Sequence, residues 1–300
     1  MLLFVPPNGG GTEIIMSDSS FNDLLRQGQS FAIERMHYHK NINMNNTHYH
    51  AHYEILYIQN GKRNLKINNS LSYELDSHVI ALLRPNTIHR TLAAGDSSQT
   101  RILINISQEF VDRLTKIFSP NIVLCFNVPV LKLSAYDAGM LNYLFVELLG
   151  NSKDSVLYDD TIKINLSKIL LHLSSIYRNT QSDNNDSFVN PNTRDRIDYC
   201  VKYIQENFSS DITVSEIAGK LFISETYLER IFKKIMGTTP YNYLLNIRVI
   251  NAKRLLEARR MSVSEVASAC GFNSLMAFSR AFKQIQGCSP KEYQMNYEKM

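Results

Sequence analysis

Three hundred residues, 44% hydrophobic and 20% charged, make a chain long enough for two globular domains, and that balance excludes wholesale disorder, a collagen-like fibre and a disulfide-stapled miniprotein. No apolar run approaches the roughly 20 residues that span a bilayer, and the opening MLLFV lacks the basic flank of a signal peptide, so the chain reads as cytoplasmic with no membrane partner. The net charge of +4 is uneven: residues 194–300 carry a balance of +5 and residues 1–193 one of −1, which points to a polyanion-binding module joined to a different kind of domain.

Residues 1–20 read as a poorly structured N-terminal segment, and Gly9-Gly10-Gly11 shortly before Met16 suggests Met16 as an alternative start of translation. Residues 21–178 read as one domain in two regimes. From about 31 to 106, short apolar or alternating runs (YEILYIQ, RNLKIN, HVIALL, TRILINI) are broken by Asn-Gly, Asn-Asn and Pro-Asn, the rhythm of antiparallel hairpins. Within this stretch, His48-Tyr-His50-Ala-His-Tyr-Glu54 is followed by Gly61 and, 28 residues further on, by His89. Alternation places His48, His50, His52 and Glu54 on one face of a strand, and a partner strand can deliver His89.

This spacing resembles the two-part motif of the cupin barrel, with Thr87 standing where metal-binding cupins usually have Gly. Imidazoles with a carboxylate suit a first-row transition metal. The same side chains, His48, His50, Glu54 and His89, can instead line a pocket for a small organic effector, with no cofactor at all, or serve only the structure. Arg35 and Arg84 are further partners for an anionic ligand. The sequence leaves these alternatives open.

After residue 106 the period changes. Ser134 opens a helix with Asp137 three residues on, and Met140, Leu141, Leu144, Phe145, Leu148 and Leu149 mark its apolar face. A second helix, about 159–178, sets Ile162, Leu166, Ile169, Leu173 and Ile176 at alternating four- and three-residue steps. Such a seam either packs on its own sheet or pairs two antiparallel helices in a dimer. Residues 179–193, NTQSDNNDSFVNPNT, have almost nothing to bury and read as a linker. Cys125, Cys200, Cys270 and Cys288 form no CxxC pair and read as reduced, packed thiols.

The last domain, 194–300, is an internal repeat. Val214-Ser-Glu-Ile-Ala recurs as Val263-Ser-Glu-Val-Ala, offset by 49, and Leu228-Glu-Arg-Ile-Phe-Lys recurs as Phe278-Ser-Arg-Ala-Phe-Lys, offset by 50. Gly237, Pro240 and Tyr243 then match Gly287, Pro290 and Tyr293. Each unit has helix-turn-helix grammar. Thr213 or Ser215, then Ser224, cap the helices of the first unit. Ser262 or Ser264, then Asn273 or Ser274, cap those of the second, with Gly271 in the turn. An α-helix fits the DNA major groove, so the outward side chains of each second helix are candidates for base contact, with Lys233 and Lys283 placed for phosphates. Thr239 and Pro240 start a helix over 241–258, about 27 Å long at 1.5 Å per residue. That rod sets two reading heads about one DNA turn, roughly 34 Å, apart.

Residues about 195–298 resemble the DNA-binding domain of the AraC/XylS family of bacterial transcription regulators, through SEIAGKLFISETYLERIFKKIMGTTPYNYL, IRVINAKRLL and VSEVASACGFNSLMAFSRAFKQIQGCSPKEY. The resemblance implies seven helices, two of them recognition helices. It gives base-facing roles to Thr226, Glu229 and Arg230, and to Leu275, Met276, Ser279 and Arg280. Leu275 and Met276 are apolar where many relatives are polar, which favours reading of thymine methyls or DNA shape. The fold class expected is therefore two domains: a cupin-like N-terminal β-barrel with a helical dimerisation segment, then an all-α double helix-turn-helix. The partners implied are double-stranded promoter DNA, a small-molecule effector, RNA polymerase and a second copy of the chain. No nucleophile constellation, phosphate loop or dinucleotide fingerprint is present, so the expectation is a regulator and not an enzyme. The competing readings are a metal-dependent cupin enzyme or metal sensor fused to a DNA-binding tail, and an architectural DNA binder.

Overall fold

The computed structural model describes residues 30–38, 47–68, 71–94, 98–150, 156–182 and 191–296; the segment 1–20 and the start at Met16 lie outside them. The chain divides into two compact units, with the division between a helix that ends at Ser182 and one that begins at Pro191. The linker expected over 179–193 is thus shorter at both ends. The first helix runs on past Thr180, whose hydroxyl bonds back to the Tyr177 carbonyl within it, and a proline is at home in a helix's first turn, where its missing N–H costs no bond. Residues 183–190 lie outside the described residues.

Among the described residues the first unit holds eight strands: β1 (Phe31–Tyr38), β2 (Tyr53–Asn60), β3 (Arg63–Ile67), β4 (Leu71–Leu75), β5 (Val79–Leu83), β6 (His89–Ala93), β7 (Gln99–Ile106) and β8 (Val130–Lys132). They form a five-stranded sheet in the order β1-β7-β2-β5-β8 and a three-stranded sheet in the order β4-β3-β6. Neighbours in the larger sheet are antiparallel, with Glu54 of β2 opposite Asn105 of β7 and Leu83 of β5. The expected closed barrel is therefore not what forms: two open sheets do. Hairpin rhythm specifies antiparallel neighbours, whereas closure needs an unbroken ring of strand pairs that the rhythm does not encode. Strand β2 is buried on both faces over its first six residues, so it reads as an apolar run, while β3 alternates between buried and half-buried positions because only one of its faces is covered.

One face of the large sheet carries Ile33, Ile55, Tyr57, Ile80, Leu82, Ile102, Ile104 and Ile106 into a single core with the helices. These helices are α1 (Gln108–Ile117), α2 (Ala135–Leu149) and α3 (Tyr158–Ser182), with a 3-10 segment at Pro120–Asn127. Ser134 and Asp137 close a capping box on α2. The seam Ile162, Leu166, Ile169, Leu173 and Ile176 lies in this same core, its first four members wholly buried. The seam therefore packs inside its own unit, against the 3-10 segment and α2 in the core they share with the sheet, and the reading of these residues as a dimer contact is not borne out. A seam shows only which face is apolar, and the nearest apolar surfaces were the 3-10 segment and helix α2 of the same unit.

The second unit holds seven helices among the described residues: α4 (Pro191–Asn207), α5 (Val214–Lys220), α6 (Glu225–Met236), α7 (Pro240–Ala258), α8 (Val263–Ala269), α9 (Leu275–Gln286) and α10 (Pro290–Asn296). The repeat is structural down to its joints. Thr213 and Ser262 cap α5 and α8, and Ser224 and Ser274 cap α6 and α9 through bonds of 3.2 Å each. Gly237 and Gly287 end α6 and α9 in the left-handed conformation. Phe232 meets Tyr243 edge-to-face at 5.6 Å, and Phe282 meets Tyr293 at 5.5 Å. Helix α7, capped by Thr239 with Pro240 at its start, touches helices of both halves. Its Arg248, buried, donates to the Phe208 and Ser210 carbonyls at 2.8 Å each and lies over the Phe272 ring. One side chain thereby ties the rod, the loop before the first helix-turn-helix and the turn of the second.

Candidate functional site

Helices α6 and α9 present matching faces. In α6, Leu228, Ile231 and Phe232 are buried, which leaves Thr226, Glu229, Arg230 and Lys233 exposed. In α9, Phe278, Ala281 and Phe282 are buried, leaving Leu275, Met276, Arg280 and Lys283 exposed and Ser279 half-buried. Thr226, Arg230 and Lys233 sit at steps of four and three residues, and so do Met276, Arg280 and Lys283, so each triplet lines one stripe of its helix. Arg230 lies over the Tyr227 ring at 5.2 Å, a stacking that holds the guanidinium extended. Met276 is 73% exposed and Leu275 47%. Burying apolar side chains against thymine methyls is the chemistry such exposure leaves available.

In the first unit, the four residues of the candidate effector set converge. His48 and His89 face each other in an isolated bridge, with His48 N–H donating to His89 O at 3.0 Å and His89 N–H to His48 O at 2.9 Å. Their rings are 4.3 Å apart, and the His50 ring is 5.0 Å from that of His89. Glu54, on β2, places Oε2 3.1 Å from His50 Nε2 and Oε1 3.6 Å from His89 Nε2. His52 stacks flat on His50, centroids 3.8 Å apart, and so belongs to the cluster too. Burial by itself would raise the Glu54 carboxyl. The His50 hydrogen bond and the fields of His89, His50 and His48 outweigh it and hold the group well below the usual carboxylate range. His89 is pushed down to about 4, first by burial, against the pull of Glu54. Arg35 lies elsewhere, exposed and bonded to Gln59 at 2.9 Å, and Arg84 is half-buried.

Reasoning from sequence missed the rest of this inner face. Gln99 is wholly buried, and neither end of its amide finds a hydrogen-bond partner among the described residues. Two residues on, buried Arg101 lies 3.6 Å from Glu34 and over the Tyr38 ring. Thr91 and Arg63, from the smaller sheet, are buried as well. The legible signal was Gln99 and Arg101 at the polar parity of an otherwise isoleucine-rich strand, together with Glu34 on its neighbour.

Two family models match the chain in order: an AraC-like ligand binding domain over residues 30–141 and a helix-turn-helix domain over residues 217–296. The chain thus carries, in order, the two kinds of domain that make up an AraC-type regulator. The effector set falls within the first match, and both exposed helix faces fall within the second. Similar curated AraC-type proteins include the Msm operon regulatory protein of Streptococcus mutans, 34% identical over 104 residues, which are 35% of this chain and 37% of that protein. The raffinose operon transcriptional regulatory protein RafR of Pediococcus pentosaceus is 33% identical over 99 residues, 33% of this chain and 36% of that one. The chain thus spans little more than a third of the length of the curated relatives it matches. Among solved structures, unsaturated fatty acid bound ToxT of Vibrio cholerae has the same fold, with a TM-score of 0.52 at 19% identity over 89% of this chain and 95% of that one. Among the described residues, no helix is long and apolar enough to cross a membrane.

Proposed function

We propose that this chain is a sequence-specific AraC-type transcription regulator that reads promoter DNA with α6 and α9 and senses a small effector in its first unit. The observation that carries the reading is the doubled exposed stripe, Thr226-Arg230-Lys233 and Met276-Arg280-Lys283, on two equivalent helices joined by a 19-residue rod. At 1.5 Å per residue that rod is about 28 Å long, suited to heads spaced by a DNA turn of roughly 34 Å. Arg230 and Arg280 bond guanine edges, Glu229 accepts from a cytosine amino group, and the two lysines hold phosphates. Thr226 and Ser279 supply hydroxyls to the same grooves, while Leu275 and Met276 read methyls or shape. No catalytic step is assigned.

The inner face of the first unit is the sensor. Buried polar side chains without partners are costly, and Gln99 in particular supports a polar guest there. The chain acts as a homodimer through the outward side of α3, where Ile164 and Leu171 continue a seven-residue spacing that starts at Leu157 just before the helix, the three being 57%, 45% and 63% exposed in that order. Effector binding shifts the population of dimer arrangements, and with it contact to promoter and RNA polymerase.

Selection of full-length protein on a randomised duplex library tests the reading. The expected outcome is a recovered site with two specified elements about one helical turn apart. Equal affinity for all sequences across a range of salt concentrations would refute it.

A further inference from the structure

The imidazole cluster in the first unit is built in a way that hydrogen bonding among its own members does not complete. His50 Nδ1 lies 3.0 Å from the His52 carbonyl and His89 Nδ1 lies 2.9 Å from the Thr87 carbonyl. A carbonyl can only accept, so both Nδ1 atoms carry their proton, and in the neutral rings both Nε2 atoms present a lone pair. Those two lone pairs are aimed at the two oxygens of Glu54, at 3.1 and 3.6 Å, in a site where His50, His89 and Glu54 are all at least nine-tenths buried. Electron pairs facing electron pairs out of water need a cation between them. A single proton on His50 answers one of the two contacts and leaves the other. His48 brings a third imidazole, and the donor atoms of His48, His50 and His89 lie within 4.8 Å of one another.

We infer that His48, His50, His89 and Glu54 bind a divalent first-row transition-metal ion. Three neutral imidazoles and one carboxylate are the donor set such ions prefer over calcium or magnesium, which favour oxygen. Four donors set tetrahedrally at about 2.1 Å from a metal stand about 3.4 Å apart, so imidazole donors that lie within 4.8 Å of one another reach that geometry by closing about an ångström, within the range of ring rotation. The frame is set before any ion arrives. Three backbone bonds stitch the two segments together, the pair between His48 and His89 and one from Asn86 N–H to His50 O at 2.7 Å. The carbonyls of His52 and Thr87 orient the ligand rings, and the His52 ring, parallel to His50 within 4°, fixes its plane. Outer contacts of this kind are what hold a ligating histidine in the right tautomer. The site stands whether or not the chain regulates transcription. That its ion is the signal rests on the function proposed above.

The test uses full-length, tag-free protein titrated with Co2+ under reducing conditions, read by the visible d–d bands and by metal content after desalting. Wild type should take up about one equivalent. His50→Ala and His89→Ala should bind at least a hundredfold more weakly, while His78→Ala, outside the cluster, should bind as wild type does. Glu54→Gln keeps the shape of the side chain and removes only its charge, so it serves where an alanine variant loses its circular dichroism; a drop of at least tenfold is expected of it. No stoichiometric uptake by wild type, or equal uptake by the variants, would overturn the site. DNA affinity measured with and without Zn2+ should differ at least fivefold. One bound equivalent with no such difference overturns the signalling role alone, and sequence-indifferent DNA binding beside intact metal uptake overturns the regulator reading alone.

Discussion

Gly271 and Gly287 offer a pair of substitutions that share a backbone cost and differ in the space around them. Their φ angles are +77° and +83°, a region that costs an L-residue roughly 1–2 kcal/mol. A Cβ at Gly287 meets nothing within 4 Å, so Gly287→Ala should cost about that much and no more. A Cβ at Gly271 lies 2.7 Å from the Phe208 carbonyl oxygen and 2.8 Å from both C and O of Ser209, all of them backbone. The Phe208 oxygen is also the one that accepts from Arg248 Nε at 2.8 Å, so it cannot retreat without giving up a charge-assisted bond. Overpacking of this kind adds about 1–3 kcal/mol, for a total near 2–5 kcal/mol. Urea unfolding of the full chain followed by circular dichroism at 222 nm reports loss of helix in both units, and the transition that moves with these substitutions is that of the second; Trp fluorescence cannot serve, because the chain contains no Trp. Gly271→Ala should lose about 1–3 kcal/mol more than Gly287→Ala, and the gap should shrink in an Arg248→Lys background. Equal losses would mean that the loop yields freely and that Arg248 does not hold the second turn against it.

Arg230→Ala and Arg280→Ala should each cost about 1–3 kcal/mol at the selected site and relax specificity there, whereas Lys233→Ala and Lys283→Ala should weaken all sequences alike and lower the salt slope by about one; competition binding at several salt concentrations separates the two patterns. Ile164→Glu with Leu171→Glu should give folded monomers in sedimentation, while Leu166→Asp, in the core, should unfold the first unit. Dimers that survive the first pair of changes would place the interface elsewhere. Native protein treated with iodoacetamide should be labelled at Cys288 before the others. Cys125 and Cys200 are buried, which pushes each thiol up to about 12, and Cys270, buried likewise, goes to about 11. Early modification of Cys125 in a peptide map would contradict that burial.

The second unit was legible almost joint by joint because its signals are local. A cap, a left-handed glycine, a proline at the start of a helix and an apolar period each report on a few neighbouring residues, and the duplication states them twice. What the sequence could not place was Arg248, whose partners at Phe208 and Ser210 lie about 40 residues away. The first unit is governed by non-local facts. His48, His50 and Glu54 share a segment and could be grouped from spacing, but Glu34, Gln99 and Arg101 join the same inner face only once β1, β7 and β2 are paired in register. Helix α3 shows the limit most plainly. Its seven-residue rhythm is carried twice, by Leu166 and Leu173 and by Ile164 and Leu171, and the two stripes point in different directions. Period reveals that a face is apolar, and only the neighbours decide whether it is core or surface. A core residue already holds its burial inside its own unit, whereas Ile164 and Leu171 can still gain by leaving water, which is why the proposed dimer contact is placed on them and not on Leu166 and Leu173.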